Sequence, residues 1–413
     1  MGFKFARRAL LVPRLAAAGL ALAMLGAFHS ATALASPAAA PANPLVEAAA
    51  GILIDGADGR VLWERDSGER RAIASTTKII TGLVVAERLR PDERVMVSAR
   101  AEAIGATDPL VTELDVVAGE VLTAEQLLYG LLLTSASDAA VALAERVAGS
   151  EAAFAELMND RARQAGAKGS HFENPHGLDN PDHYSTAADL ALVSREAMNN
   201  PLFKKVVGTA EYELARPGHA TQRLINRNEL LGVFEGANGV KTGRTKAAGK
   251  SLVASAQRKD EFRIAVVLDS PDPSAEAAAL LDYGFNNFRR FFAARAGRAW
   301  GTLTYGDGTT ARLAASADSS FLIDASAPDP ASRYDEETSR LLVDLPGTPA
   351  TPLVRECDHR GAGGVAAARG YVTGAPEAAN PPNHLACRPE TGEPSLVARF
   401  LAMLRPALSF ARG

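Results

Sequence analysis

Cysteine is nearly absent: of 413 residues only Cys357 and Cys387 are cysteines, and both come late. Everything before them must therefore fold around an apolar core without disulfides. There is no basic excess, since 44 Lys and Arg stand against 48 Asp and Glu for a net charge of −4. A chain of that balance has no electrostatic reason to bind nucleic acid. Acid is missing altogether from residues 1–35, where Lys4, Arg7, Arg8 and Arg14 precede an apolar run from Leu15 to Phe28. That run falls short of the about 20 apolar residues of a permanent membrane span. Ala33-Leu34-Ala35 then supplies small residues that a signal peptidase accepts, so residues 1–35 read as an export signal. Its removal takes the net charge from −4 to −8. His171, His176, His183 and His219 lack the H-E-x-x-H spacing of a metalloprotease and are expected in loop or surface roles. Five residues separate Gly243 from Gly249-Lys250-Ser251 where a phosphate loop needs four. No metal and no cofactor is expected.

The chain beyond the signal is longer than one ordinary domain. Residues 36–44 (SPAAAPANP) are a Pro/Ala linker. Residues 51–64 read as two short strands joined by Gly and Asp turn residues, a hairpin. From Ser75 the apolar spacing of Ile79, Ile80, Leu83 and Val84 becomes helical. Thr123 with Gln126 forms a capping box before the run Leu127 to Leu133. Helices are predicted over 138–147 and 151–164, and another starts at Thr186 with Asp189. Strands return at 240–242, 251–256 and 264–268. A strand pair, a helical block and strands again allow the two ends to share one sheet covered by helices, an α/β domain spanning 45–296. A helical segment over 276–294 closes it. Residues 297–392, rich in Gly, Pro, Thr and Asp, predict a small β-rich domain, and 393–413 a tail.

The chemistry lies in three short clusters. Ser75-Thr76-Thr77-Lys78 opens a helix, and a spacing of three puts hydroxyl and amine on one face. Serine is a weak nucleophile until a base takes its proton, and lysine serves as that base only when burial or a nearby cation lowers its pKa. Ser135-Ala136-Ser137-Asp138 brings a second serine that could relay a proton; the plainer reading is that Ser137 or Asp138 caps the next helix. Lys241-Thr242-Gly243 on a strand edge offers a cation and a hydroxyl for a carboxylate, with a glycine that lets a substrate backbone lie close. Each cluster alone is weak. Their order and separations together are specific to serine acyl-enzymes of the penicillin-binding and β-lactamase kind.

Beyond the clusters the chain resembles the low-molecular-mass penicillin-binding proteins, serine-type D-alanyl-D-alanine carboxypeptidases. The segments that carry the likeness include Ala74–Ile79, Val141–Glu145, Asn174–Leu178, His183–Ala187, Gly239–Gly243 and Leu281–Phe285. The resemblance implies an antiparallel sheet with helices on its faces plus an all-helical part, followed by a small β-rich domain. It implies Ser75 as the acylated nucleophile, Lys78 as its base and Ser135 as the proton shuttle. Lys241 and Thr242 would hold the peptide's terminal carboxylate, and the backbone N–H groups of Ser75 and Arg244 would form the oxyanion hole. It also implies Lys78 close to Lys241, their repulsion adding to burial in lowering a lysine pKa. One residue departs from the family: its usual asparagine is here Ser137, shorter and with one donor fewer, so contacts to Lys78 and to substrate should weaken.

The expected partners are peptidoglycan stem peptides, with β-lactams as covalent inhibitors. The alternatives are an endopeptidase cutting cross-links, a β-lactamase, and a non-catalytic binder of wall peptides. A class A β-lactamase would carry a Glu-x-x-Leu-Asn segment after the second cluster, and Asn228-Glu229-Leu230 is not that arrangement. Cys357 and Cys387 are expected to pair as a disulfide in an oxidising compartment, against a zinc site with His359 and His384. From Ser395 to Gly413 there is no acid, and Arg399, Arg405 and Arg412 interrupt a run of Leu, Phe and Met. Arg405 and Arg412 fall within about 20° of each other on a helix. Such a tail suits the surface of an anionic membrane.

Overall fold

The computed structural model describes residues 43–107, 111–304, 310–314, 318–335, 340–344, 351–355, 366–372 and 383–389. The expected export signal, the expected tail 393–413 and Cys357 lie outside the described residues, and with them the expected disulfide.

Five strands build one antiparallel sheet: β1 (Ala50–Asp55), β2 (Val61–Arg65), β3 (Ala237–Thr245), β4 (Gly249–Arg258) and β5 (Glu261–Leu268). Their order is β2-β1-β5-β4-β3, so strands from before and after the helical block do share one sheet, β1 pairing with β5. Alternation assigns the faces. On one side lie Ile52, Ile54, Val253, Ile264 and Val266; on the other lie Leu53, Leu252, Ala254, Ala265 and Val267.

Each face buries helices. The larger core takes α1 (Lys78–Arg88), α2 (Ala124–Tyr129), α3 (Ser137–Ala148), α4 (Glu151–Gln164) and α5 (Ala187–Asn199). The smaller takes α6 (Pro273–Asn287) through Ala277, Leu280 and Leu281. Full burial of a leucine side chain contributes about 1.5–3 kcal/mol, so α6 fastens the second face. The caps fall where local chemistry puts them. Thr123 accepts from Gln126 N while the Gln126 side chain accepts from Thr123 N, and Thr186 accepts from Asp189 N. The helix from Leu127 does not run evenly to Leu133: Gly130–Thr134 is a π turn ending on Ser135.

The expected helix over 276–294 is corrected. It stops at Asn287, and Phe288–Ala294 is a strand, β6, paired with β7 (Ser319–Asp324). The aromatic and arginine-rich run Phe288-Arg289-Arg290-Phe291-Phe292 fits a pleated surface better than a helix that would expose three phenylalanines. A separate seven-stranded sheet comes next, in the order 299–304, 310–314, 383–389, 366–372, 351–355, 340–344 and 331–335. A charged network ties β6 to the main sheet. Arg263 is fully buried and donates to Asp55 Oδ2 at 2.6 Å, while Arg290 from β6 pairs with the other oxygen of Asp55.

Candidate active site

Ser75 sits in a tight turn, Ala74–Thr77, that runs straight into α1. Ala74 before it takes φ +48°, a strained backbone for a residue with a side chain. Thr76 and Thr77 hold the turn by donating to the carbonyls of Ile73 and Ala74. Thr77 also shares a 2.8 Å hydrogen bond with His183 Nε2. Gly243 packs against this turn: a Cβ there would lie 3.0 Å from Ile73 O and 3.1 Å from Thr76 N. The glycine expected to make room for a substrate thus also makes room for the serine's own turn.

Lys78 is 1% exposed and its amine is the hub. Nζ donates to Ser75 Oγ at 3.1 Å, to the carbonyl of His176 at 2.5 Å and, more distantly, to Ser137 Oγ at 3.4 Å. Burial, and next the Arg227 guanidinium, bring its pKa down to about 7, with Asp138 opposing. An amine of that pKa is half neutral near pH 7, as a general base must be.

The second cluster divides its roles. Asp138 does satisfy amides, accepting from Ala139 N at 2.7 Å and Leu114 N at 2.8 Å. Burial raises its pKa to about 6. Ser137 caps nothing; the helix N-cap is Ala136, without a side-chain bond, and the Ser137 hydroxyl faces Lys78. The long 3.4 Å contact agrees with a serine that is too short for the position. Ser135 stands in the left-handed region at φ +69°, where the π turn ends. Its Oγ is buried with no hydrogen-bond partner among the described residues. A native hydroxyl left in that state calls for a reason, such as a group that arrives with the substrate.

Lys241 and Thr242 lie on β3, the open edge of the sheet, with Arg244 exposed one residue past Gly243. Lys241 is 1% exposed, and Nζ donates to Thr242 O at 3.0 Å. Its pKa is lowered by burial, then by Lys78, then by Arg227. The expected lysine–lysine repulsion is therefore present, felt at Lys241. Sequence reasoning missed Arg227. Its side chain is exposed, has no carboxylate in ion-pair range among the described residues, and depresses both lysines. Nothing local marks it, since Asn226-Arg227-Asn228 is an ordinary polar triplet. His176 and His183 lie in loops, as expected, but are buried there at 5% and 4% exposed. His176 pairs with Glu151 at 3.1 Å and lends its carbonyl to Lys78, and burial lowers the pKa of His183 to about 3. Packing beneath the serine turn buries them, which spacing alone does not reveal.

A serine hydroxyl beside a half-neutral lysine, an orphan second hydroxyl and a buried lysine at a sheet edge are the parts of a serine acyl-enzyme. The D-alanyl-D-alanine carboxypeptidase family model matches residues 37–272, more than half of the chain. A D-alanyl-D-alanine carboxypeptidase of Salmonella typhimurium, DacD, is 34% identical over 305 residues, 69% of this chain and 76% of the relative. DacF of Bacillus subtilis is 34% identical over 250 residues, 59% of this chain and 63% of that protein, so less than two thirds of its length is spanned. The crystal structure of penicillin binding protein 5 from Haemophilus influenzae superposes with a TM-score of 0.64 at 26% identity, over 84% of this chain and 98% of that one. This chain belongs to the D-alanyl-D-alanine carboxypeptidase family of serine peptidases.

Proposed function

We propose that the chain removes the terminal D-Ala of peptidoglycan pentapeptides through an ester on Ser75, and that β-lactams acylate the same oxygen. One observation carries the reading: two buried lysines, Lys78 and Lys241, stand near the exposed Arg227, and among the described residues Asp138 alone offsets the charge at Lys78. A carboxylate-bearing substrate relieves that repulsion. Neutral Lys78 takes the proton from Ser75 Oγ, which attacks the carbonyl of the penultimate D-Ala. The backbone N–H groups of Ser75 and Arg244 hold the oxyanion. Lysine returns the proton through Ser135 to the leaving amine of D-Ala, whose carboxylate rests on Lys241, Thr242 and Arg227. Water, activated by the same relay, then cleaves the ester.

Incubation with a pentapeptide ending in D-Ala-D-Ala should release D-Ala, and penicillin should leave a single adduct that Ser75→Ala abolishes. An adduct surviving in Ser75→Ala overturns the nucleophile. Cleavage of a cross-linked dimer with the pentapeptide left intact makes the protein an endopeptidase instead.

The basic, apolar start supports export after cleavage near Ala35. We divide the mature chain into a catalytic part, 45–296, and a β-rich part, 297–392, followed by a tail that rests on the membrane surface. Among the described residues no helix is long and apolar enough to cross a membrane. Flotation with anionic liposomes should fall on truncation after Glu393. Equal recovery of both forms would remove the anchor.

A further inference from the structure

Beside the serine turn lies a cavity of about 480 Å³ that the chemistry above does not use. One wall is Arg70 and Arg71, a few residues before Ser75; the other is the loop of Asp179, Asn180 and Tyr184; Ala247 closes the end. The walls are fixed. Arg71 and Ser185 exchange two backbone hydrogen bonds, at 2.9 and 3.1 Å. Asp179 Oδ1 accepts from Thr245 Oγ1 at 2.7 Å, which ties the loop to the end of β3.

The charges at the mouth differ in what is already engaged. Arg71 is paired, with Glu69 at 3.3 Å and Asp269 at 3.5 Å. Arg70 has no carboxylate in ion-pair range among the described residues; its guanidinium lies 4.8 Å over the ring of Tyr184. Stacking of this kind holds the guanidinium plane while leaving its N–H groups free to bond. Asp179 is exposed and uses one carboxylate oxygen on Thr245. The cavity therefore offers one oriented cation and one available carboxylate oxygen.

Its position follows from the direction of β3. A peptide lying antiparallel on that edge, with its terminal carboxylate at Lys241 and its scissile carbonyl near Arg244, continues past Thr245 toward Ala247. At about 3.3 Å per residue, the residue just before the acylated D-Ala reaches the cavity. We propose that this cavity is a specificity subsite for the third residue of the stem peptide, and that it selects a side chain ending in both an amine and a carboxylate, the carboxylate on Arg70 and the amine on Asp179. The inference rests on the carboxypeptidase reading and adds the substrate class.

Two synthetic pentapeptides that differ only at the third residue, meso-diaminopimelate or lysine, isolate the extra carboxylate. Both groups are exposed, and one such ion pair is worth up to about fivefold in kcat/KM. The wild type should favour the diaminopimelate peptide by about that factor. Arg70→Gln should bring the ratio of the two to about one, whereas Asp179→Asn should lower both peptides together and keep the ratio. Thermal melting and penicillin labelling of each variant report an intact fold and serine. Equal kcat/KM for the two peptides in the wild type, or a ratio that Arg70→Gln leaves untouched, overturns the subsite while the carboxypeptidase reading stands. Absence of turnover on both peptides with penicillin labelling intact overturns that reading, and the subsite with it.

Discussion

The pH dependence of Ser75 acylation offers the sharpest test of Lys78 as base. With the amine at about 7 rather than its ordinary 10.5, the shift is about 3.5 units, or on the order of 5 kcal/mol against the charged form. The sign is that of a buried cation: burial and Arg227 disfavour the ammonium, so the neutral, proton-accepting amine is populated at lower pH. At pH 7 about half of the enzyme then carries a competent base, against roughly one molecule in 3000 for an unshifted lysine, a gain on the order of 10³. Between pH 5 and pH 8 the neutral fraction climbs from ~1% to ~90%. The second-order rate of acylation by benzylpenicillin, read by stopped-flow fluorescence or timed mass spectrometry, should therefore rise about ninetyfold over that window and level off above pH 8. Arg227→Gln should move the limb to higher pH, because one of the two depressing causes is gone. Lys78→Arg, which keeps the charge and cannot act as base, should lose the rate at every pH. A rate still climbing tenfold per unit through pH 9, or a Lys78→Arg variant that acylates at the wild-type rate, would refute the assignment.

Three further outcomes test separate parts of the site. Ser135→Ala deletes a buried hydroxyl without a partner, so stability should change by no more than ~1 kcal/mol while turnover falls on the order of 10²-fold; a destabilised protein with full activity would show that the hydroxyl serves the fold. Ser137→Asn reaches further toward Lys78 than the present 3.4 Å contact and should raise peptide turnover about fivefold, the worth of one hydrogen bond at ~1 kcal/mol. Loss of activity in a folded Ser137→Asn protein would contradict this. Asp55→Ala removes the buried carboxylate shared by Arg263 and Arg290, leaving them only Glu261 and Asp58, and should cost about 3–5 kcal/mol in denaturant unfolding, whereas a loss under ~1 kcal/mol would mean that the remaining carboxylates and water compensate.

Much of the molecule is written locally. Short continuous apolar runs in β1, β4 and β5 mark strands buried on both faces, and the helical spacing of Ile79, Ile80, Leu83 and Val84 marks the buried face of α1. The capping threonines Thr123 and Thr186 state where two helices begin, since the amides that need partners lie within three residues. One helical turn between Ser75 and Lys78 places amine beside hydroxyl before any tertiary contact forms. The sequence by itself therefore determined the sheet strands, most helix starts and the closeness of Ser75 and Lys78, the pair we propose as nucleophile and base. Tertiary structure decided what that pair can do. Arg227 reaches the site from 149 positions along the chain beyond Lys78, and the carbonyl of His176 from 98. Neither approach leaves a local pattern, yet burial and charge set the lysine near 7. The helix expected through Ala294 failed in part for the same reason: the strand Phe288–Ala294 is completed by Ser319–Asp324, which arrives from 25 or more residues further along the chain to pair with it. Spacing fixes which groups can meet within a turn or two; charge and desolvation act through space, and only the folded chain brings those groups together.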